Sequence, residues 1–317
     1  MPLAQSWLDF ENSVGGRSQL KGTPEEIRAQ YDGLIQALMP LYSAPSDAVE
    51  SKDFDADGVK VRGYWPKGTT GELPAGIWTH GGGWVVGDIN GDDLLCRAVS
   101  EHNKVALLSV EYRLAPEHKW PAQLDDCMTA YKWAHKNASS FHADANKFFT
   151  IGGSAGGGLA LSTANQVIQD SSLKSSLKGI AAIVPVAVHW DSCPDKYKSK
   201  YTAYKDNAED APVINKQSMA DFFKITGVDP NDENTFTSLA TKNHKNFPPT
   251  YFASCEFDPL RDDATVMEAA LKDAGVETKH DHYKGFPHYF WIVPTVPESQ
   301  TFVQNLVGGI EWLKSKM

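Results

Sequence analysis

The chain has 317 residues, with 30 lysines and arginines against 40 aspartates and glutamates, a formal net charge of −10 and an isoelectric point near 5.5. That length buries an ample core within one α/β domain and requires no second domain. Scattered basic residues in an acidic chain exclude a nucleic-acid binder and argue against an anionic membrane surface as partner. No run reaches the ~18 consecutive apolar residues of a spanning helix. Residues 1–9 lack a basic region and a long apolar core, so a cytoplasmic protein without stable membrane insertion is expected. Cys96, Cys127, Cys193 and Cys255 lie far apart without C-x-x-C spacing, which argues against a disulfide framework or a zinc site and for buried free thiols.

In chain order, residues 1–48 read as helical, with Thr23-Pro24-Glu25-Glu26 as an N-terminal signal, and they precede the first strand. Residues 53–65, broken by Asp55-Ala56-Asp57-Gly58, read as an antiparallel hairpin. Strands follow at 75–79 and 105–110, then a helix at 121–136, a strand at 147–151, a helix at 159–169 and a strand at 180–186. Residues 189–235 are polar, rich in lysine and tyrosine, and longer than a usual connection. A strand at 249–254, a helix at 260–274, a strand at 276–283 and a helix at 297–314 complete the chain. Such alternation predicts a largely parallel sheet with helices on both faces, the α/β class.

Two turns carry chemistry. Gly152-Gly153-Ser154-Ala155-Gly156 fits G-x-S-x-G where a strand gives way to a helix. A serine on that sharp turn has a strained backbone, needs small neighbours and projects its hydroxyl into open space above the sheet. The Ala155 amide then lies at a helix N-terminus, where unpaired donors and the positive dipole end favour an anion. A tetrahedral oxyanion needs further donors, since losing one costs roughly 100- to 1000-fold in turnover. His80-Gly81-Gly82-Gly83-Trp84, directly after a strand, offers them: glycine amides approach a substrate closely, and Gly82 and Gly83 are the expected pair. A phosphate cradle is disfavoured, because neither loop has the G-K-[ST] ending of a P-loop or a G-x-G-x-x-G with a downstream ribose-binding acid.

A serine hydroxyl is a weak nucleophile at neutral pH and needs a histidine base, itself oriented by a carboxylate. With this elbow the chain order is serine, acid, histidine, which leaves His244, His280, His282 and His288. Only His288 has loop context, within Lys284-Gly285-Phe286-Pro287-His288. His280 and His282 alternate along the preceding strand and read as neighbours on one exposed face, with no carboxylate or cysteine at metal-ligand spacing. Glu256, Asp258, Asp262 and Asp263 crowd one stretch as candidate acids. Asp262 and Asp263 fall inside the following helix, whereas Asp258 stands just past a strand end; before Pro259 it also reads as that helix's N-cap.

HGGGW with Val86-Gly87-Asp88, Tyr112-Arg113-Leu114-Ala115-Pro116-Glu117-His118, GGSAGGG, Asp258-Pro259-Leu260-Arg261-Asp262 and Gly285-Phe286-Pro287-His288 follow one another over about residues 75–290. In this the chain resembles the hormone-sensitive-lipase-like branch of the α/β-hydrolase carboxylesterases. The resemblance implies one α/β-hydrolase domain over residues 1–317, a mostly parallel eight-stranded sheet flanked by helices, with 1–48 and 189–235 as a helical cap. It implies Ser154 as nucleophile, His288 as base, Asp258 as orienting acid, and Gly82, Gly83 and Ala155 as oxyanion donors. The implied activity is hydrolysis of short- to medium-chain carboxylic esters through an acyl-enzyme. The substrate is a small-molecule ester, no metal or organic cofactor is needed, and a homodimer is one of the assemblies such enzymes adopt. Trp84, Trp190, Phe222 and Phe223 are candidate lining for an apolar pocket, although a packed helix face accounts equally for the two phenylalanines. One departure stands out: the family commonly has an aspartate before the serine, and here that residue is Gly153. Alternatives on the same scaffold are a lyase or cyclase in natural-product tailoring, and a non-catalytic small-molecule receptor, against which the retained His288 argues.

Overall fold

The computed structural model describes residues 2–317. Two helices, α1 (Gln5–Ser13) and α2 (Pro24–Leu38), precede β1 (Val49–Ala56), β2 (Val59–Pro66) and β3 (Leu73–Thr79). Then come α3 (Asp93–Asn103), β4 (Ala106–Val110), α4 (Ala122–Lys136), β5 (Ala143–Gly153), α5 (Ala155–Val167) and β6 (Leu177–Ile183). The short α6 (Ala203–Asp206) and α7 (Lys216–Thr226) precede β7 (Thr250–Phe257), α8 (Arg261–Asp273), β8 (Thr278–Pro287) and α9 (Glu298–Lys314). The strands make one sheet in the order β1-β2-β4-β3-β5-β6-β7-β8, antiparallel at β1-β2 and β2-β4 and parallel thereafter.

The central strands are apolar on both faces because helices cover both faces. All five residues of β4 are buried, whereas edge strand β1 buries only its two end residues. One core layer holds side chains of α4, α5 and α8; the other holds those of α3 and α9 together with Trp7 and Phe10 of α1. Helix α2 begins as its sequence signal requires: the Thr23 side chain accepts from the Glu26 amide and Glu26 returns the bond, a capping box with Pro24 in the first turn.

Several elements depart from the expected bounds, and three of the departures bear on how the core and the site are built. Strand β8 continues through Gly285 and Pro287, since Glu256 at the end of β7 accepts from the Gly285 amide at 2.7 Å and Phe257 pairs with Pro287. The segment expected as loop therefore extends the sheet to the residue before His288. Helix α5 starts at Ala155 rather than Leu159, because close packing under β3 overrides the poor helix propensity of three glycines. Helix α3 lies where the sequence pattern predicts no element; its Cys96, Val99 and Ser100 are buried. All four cysteines are buried and unbonded, and no helix among the described residues is long and apolar enough to cross a membrane.

Candidate active site

Ser154 stands between β5 and α5 with φ +57° and ψ −123°, a strained conformation held by three backbone bonds. Its amide donates to Ile183 O at 2.8 Å, and its carbonyl accepts from Gly158 and Val186. The turn closes only because Gly156 is a glycine: a Cβ there would overlap the Thr79 carbonyl, and the Thr79 hydroxyl donates to Gly156 O at 2.7 Å.

Strands β5, β7 and β8 run parallel, so their C-terminal ends meet on one side of the sheet and deliver three side chains to one point. His288 Nε2 lies 2.9 Å from Ser154 Oγ, and His288 Nδ1 lies 2.7 Å from Asp258 Oδ2. Asp258 is fully buried, and its other oxygen accepts from the Leu260 amide at 2.8 Å. The N-cap expectation is thereby corrected. Leu260 holds the N-cap position of α8, and Asp258 spends one oxygen on the turn before it and the other on His288. A carboxylate at Nδ1 places the imidazole proton there and leaves Nε2 free to accept from the serine hydroxyl.

On the facing loop, Gly82 has φ +114°, and a Cβ there would overlap the Val86 carbonyl, so the tight turn through Gly82 requires glycine. The loop is pinned from below. Tyr112 donates to His80 O at 2.7 Å, the His80 ring stacks on Tyr112 at 4.1 Å, and His80 Nδ1 donates to Gly81 O at 2.7 Å. Burial lowers the His80 pKa to about 4, which keeps the ring neutral. No protein group among the described residues accepts from the amides of Gly82, Gly83 or Ala155. Gly82 and Gly83 line the same cavity as Ser154 and His288. Unpaired backbone donors of this kind can hold an anion.

The other candidates serve structure. Asp263 Oδ1 accepts from the Ala187 and Val188 amides, and Asp262 accepts from Thr202 and Ala203. Both clamp the connection after β6 onto α8. His244 bonds the Thr237 carbonyl. His280 and His282 share a face as expected, but both reach Ser254 Oγ, and Glu268 of α8 meets His280 Nδ1 at 3.0 Å. A carboxylate does accompany the pair, contrary to the sequence reading, because α8 packs beside β8. Among the described residues no cluster of histidine, cysteine and carboxylate is arranged to hold a metal. Asn207, overlooked in the sequence, donates to the carbonyls of Glu256 and Asp258 and so steadies the acid's loop; no local pattern marks it.

The cavity at Ser154 is small, about 70 Å³, and is roofed by Leu20, Tyr31, Ile35, Val213, Met219 and Phe222. It opens past Tyr31, Ile35, Tyr42, Asp92 and Ile292 into a vestibule of about 1330 Å³. Trp84 and Phe222 line the inner cavity, whereas Phe223 and Trp190 turn away into an aromatic cluster with His189 and Phe236.

The fold and this site define a class, and comparison with known proteins agrees. A family model described as the alpha/beta hydrolase fold matches residues 76–292, and the chain belongs to that family, in its hormone-sensitive-lipase-like carboxylesterase branch. It is similar to the versiconal hemiacetal acetate esterase of Dothistroma septosporum, 58% identical over 99% of this chain and 96% of the relative. It is also similar to carboxylesterase NlhH of Mycobacterium tuberculosis, 29% identical over 84% of each chain. Among solved structures, vibralactone cyclase superposes with a TM-score of 0.88 at 31% identity, covering 99% of this chain and 96% of the other.

Proposed function

We propose that this carboxylic ester hydrolase cleaves short-acyl esters of a bulky alcohol through an acyl-enzyme on Ser154. The hydrogen-bonded line from Ser154 through His288 to buried Asp258 carries the reading. Ser154 attacks the ester carbonyl while His288 Nε2 takes its proton, and the amides of Gly82, Gly83 and Ala155 hold the oxyanion. His288 then protonates the departing alcohol and activates water to release the acid. No metal or organic cofactor enters this scheme.

The inner cavity, about 70 Å³, is far smaller than the vestibule of about 1330 Å³, which supports a small group on one side of the ester and a bulky one on the other. The Dothistroma relative's name specifies an acetate, which makes the acyl group the small side and assigns the vestibule to the alcohol. Residues 1–48 and 189–235 act as the cap, since both contribute lining to the inner cavity and the first also lines the vestibule. The substrate is a small molecule; the net charge of −10 supports the absence of a nucleic-acid partner.

A second reading has one observation in its favour, the likeness to vibralactone cyclase. In it a hydroxyl within the substrate, rather than water, takes the acyl group and closes a ring.

Hydrolysis of p-nitrophenyl esters of graded acyl length, with fluorophosphonate labelling of Ser154, tests the proposal. The expected result is fastest turnover of the acetate, reduced at least ~1000-fold by Ser154→Ala and by His288→Ala. A folded wild type that neither turns over nor labels would sink the esterase reading. Labelling without turnover would move the weight to ring closure, read by product mass.

A further inference from the structure

The space that the missing side chain of Gly153 leaves beside the nucleophile is not empty. A Cβ built on Gly153 would overlap the hydroxyl oxygen of Tyr289, and one built on Gly81 would lie 2.7 Å from the same oxygen. The phenol thus ends between two backbone segments, one residue ahead of Ser154 on the elbow and one residue ahead of Gly82 on the facing loop. Tyr289 directly follows His288 and takes left-handed backbone at φ +59°, which turns its ring back over the elbow, with Trp291 at 4.6 Å on its flank. It lines the inner cavity together with Ser154 and His288. No group among the described residues accepts from or donates to its hydroxyl. Burial and the nearby Asp92 carboxylate push the phenol's pKa well above its ordinary 10, so the oxygen carries its proton and is a donor without a protein acceptor.

We propose that Tyr289 is a specificity-determining residue, whose hydroxyl donates a hydrogen bond to an oxygen that the substrate's alcohol portion carries close to the ester. The inference rests on the esterase reading above. The acyl side offers no partner: a two-carbon acyl group has only its carbonyl oxygen, which the amides of Gly82, Gly83 and Ala155 engage. The acceptor must therefore sit on the alcohol, as a hydroxyl or an ether or hemiacetal oxygen next to the carbon that bears the ester. An all-carbon alcohol bound there would displace water from the phenol and leave it without an acceptor, and a site built to bond a polar group discriminates against the analogue that lacks it.

The test compares kcat/KM for cyclohexyl acetate, tetrahydropyran-2-yl acetate and 2-hydroxycyclohexyl acetate, corrected for spontaneous hydrolysis, in wild type and Tyr289→Phe. The first probe is all carbon; the other two add one oxygen beside the ester-bearing carbon. In the wild type at least one oxygenated ester is preferred over cyclohexyl acetate, and Tyr289→Phe lowers that preference about tenfold. Fluorophosphonate labelling and thermal melting accompany each variant. Equal losses on all three esters, alone or in parallel with slower labelling or a lower melting temperature, make the phenol a prop for the two loops and overturn the proposal. So does an unchanged preference. A wild type that hydrolyses none of the three and none of the p-nitrophenyl esters removes the esterase reading, and this inference with it.

Discussion

Asp92 begins α3 with its side chain turned inward, accepting from Trp78 Nε1 at 3.0 Å and facing the Gly81 amide. Burial raises its pKa from the ordinary 3.8 to about 6. Between those values the folded chain binds more protons than the unfolded one, so the cost of the buried charge is absent below about pH 4 and complete above about pH 6. Two units correspond to about 3 kcal/mol. Asp92→Asn is therefore expected to gain up to about 3 kcal/mol over wild type near pH 7.5 and almost nothing near pH 3.5, read from paired urea titrations. A gain that is the same at both pH values would refute this. His80, with its pKa lowered to about 4, acts in the opposite sense: its contribution is lost as pH falls from about 6.5 through about 4. Gly82→Ala is the steric counterpart. With φ +114° and the Val86 carbonyl in the way, the loop must shift, and kcat is expected to fall about 100-fold or more, measured on p-nitrophenyl acetate.

Helix α2 buries only Ile27 and Leu38 and sends Tyr31 and Ile35 into the passage between cavity and vestibule. Its tether to the hydrolase core is Arg28, which bonds both Glu117 oxygens at 2.8 and 2.7 Å and also the carbonyls of Ala115 and Val85. Its partner Glu117 is more than half exposed, so solvent screening leaves the ion pair little to contribute to stability. The tether matters for position instead, because it joins α2 to the loop that carries Gly82 and Gly83. Ile35→Trp narrows the passage. The ratio of kcat/KM for a bulky acetate to that for ethyl acetate is expected to drop about tenfold, and a ratio that stays put would move the alcohol site elsewhere.

Across the whole molecule, burial is graded from the sheet outward. Helix α5 lies between strands and neighbouring helices with every residue but one buried, whereas α2 rests on the surface by two. Backbone amides with few buried contacts open locally, without global unfolding. Hydrogen exchange in α2 is expected to run at least about 100-fold faster than in α5, and equal protection in the two would show instead that roof and sheet open as one unit. The segment after α1 is joined to the connection between β6 and β7 by two backbone bonds, Leu20 N–H to Val213 O and Val213 N–H to Ser18 O. Below them, Ser154 and His288, 134 residues apart, meet because parallel strands end level.

What the sequence determined by itself was local backbone chemistry. The glycines around Ser154 and the run Gly81-Gly82-Gly83 are legible because a strained turn needs small residues at adjacent positions. The strands at 75–79 and 105–110 and the box at Thr23 are legible because their signals repeat over a few neighbours. Ser154, His288 and Asp258 could be picked out, since each follows a strand that the pattern already marked. Only the tertiary structure decided what depends on distant partners. It divided Asp258 between the turn before α8 and His288, brought Glu268 to His280, and set Asn207 behind the acid. It also explained the glycine where the family has an aspartate. A side chain from the far end of the chain, Tyr289, fills that space, and no spacing in the sequence connects the two residues. Packing pairs residues by proximity on the sheet, whereas sequence patterns register only what lies within a turn or a strand's length.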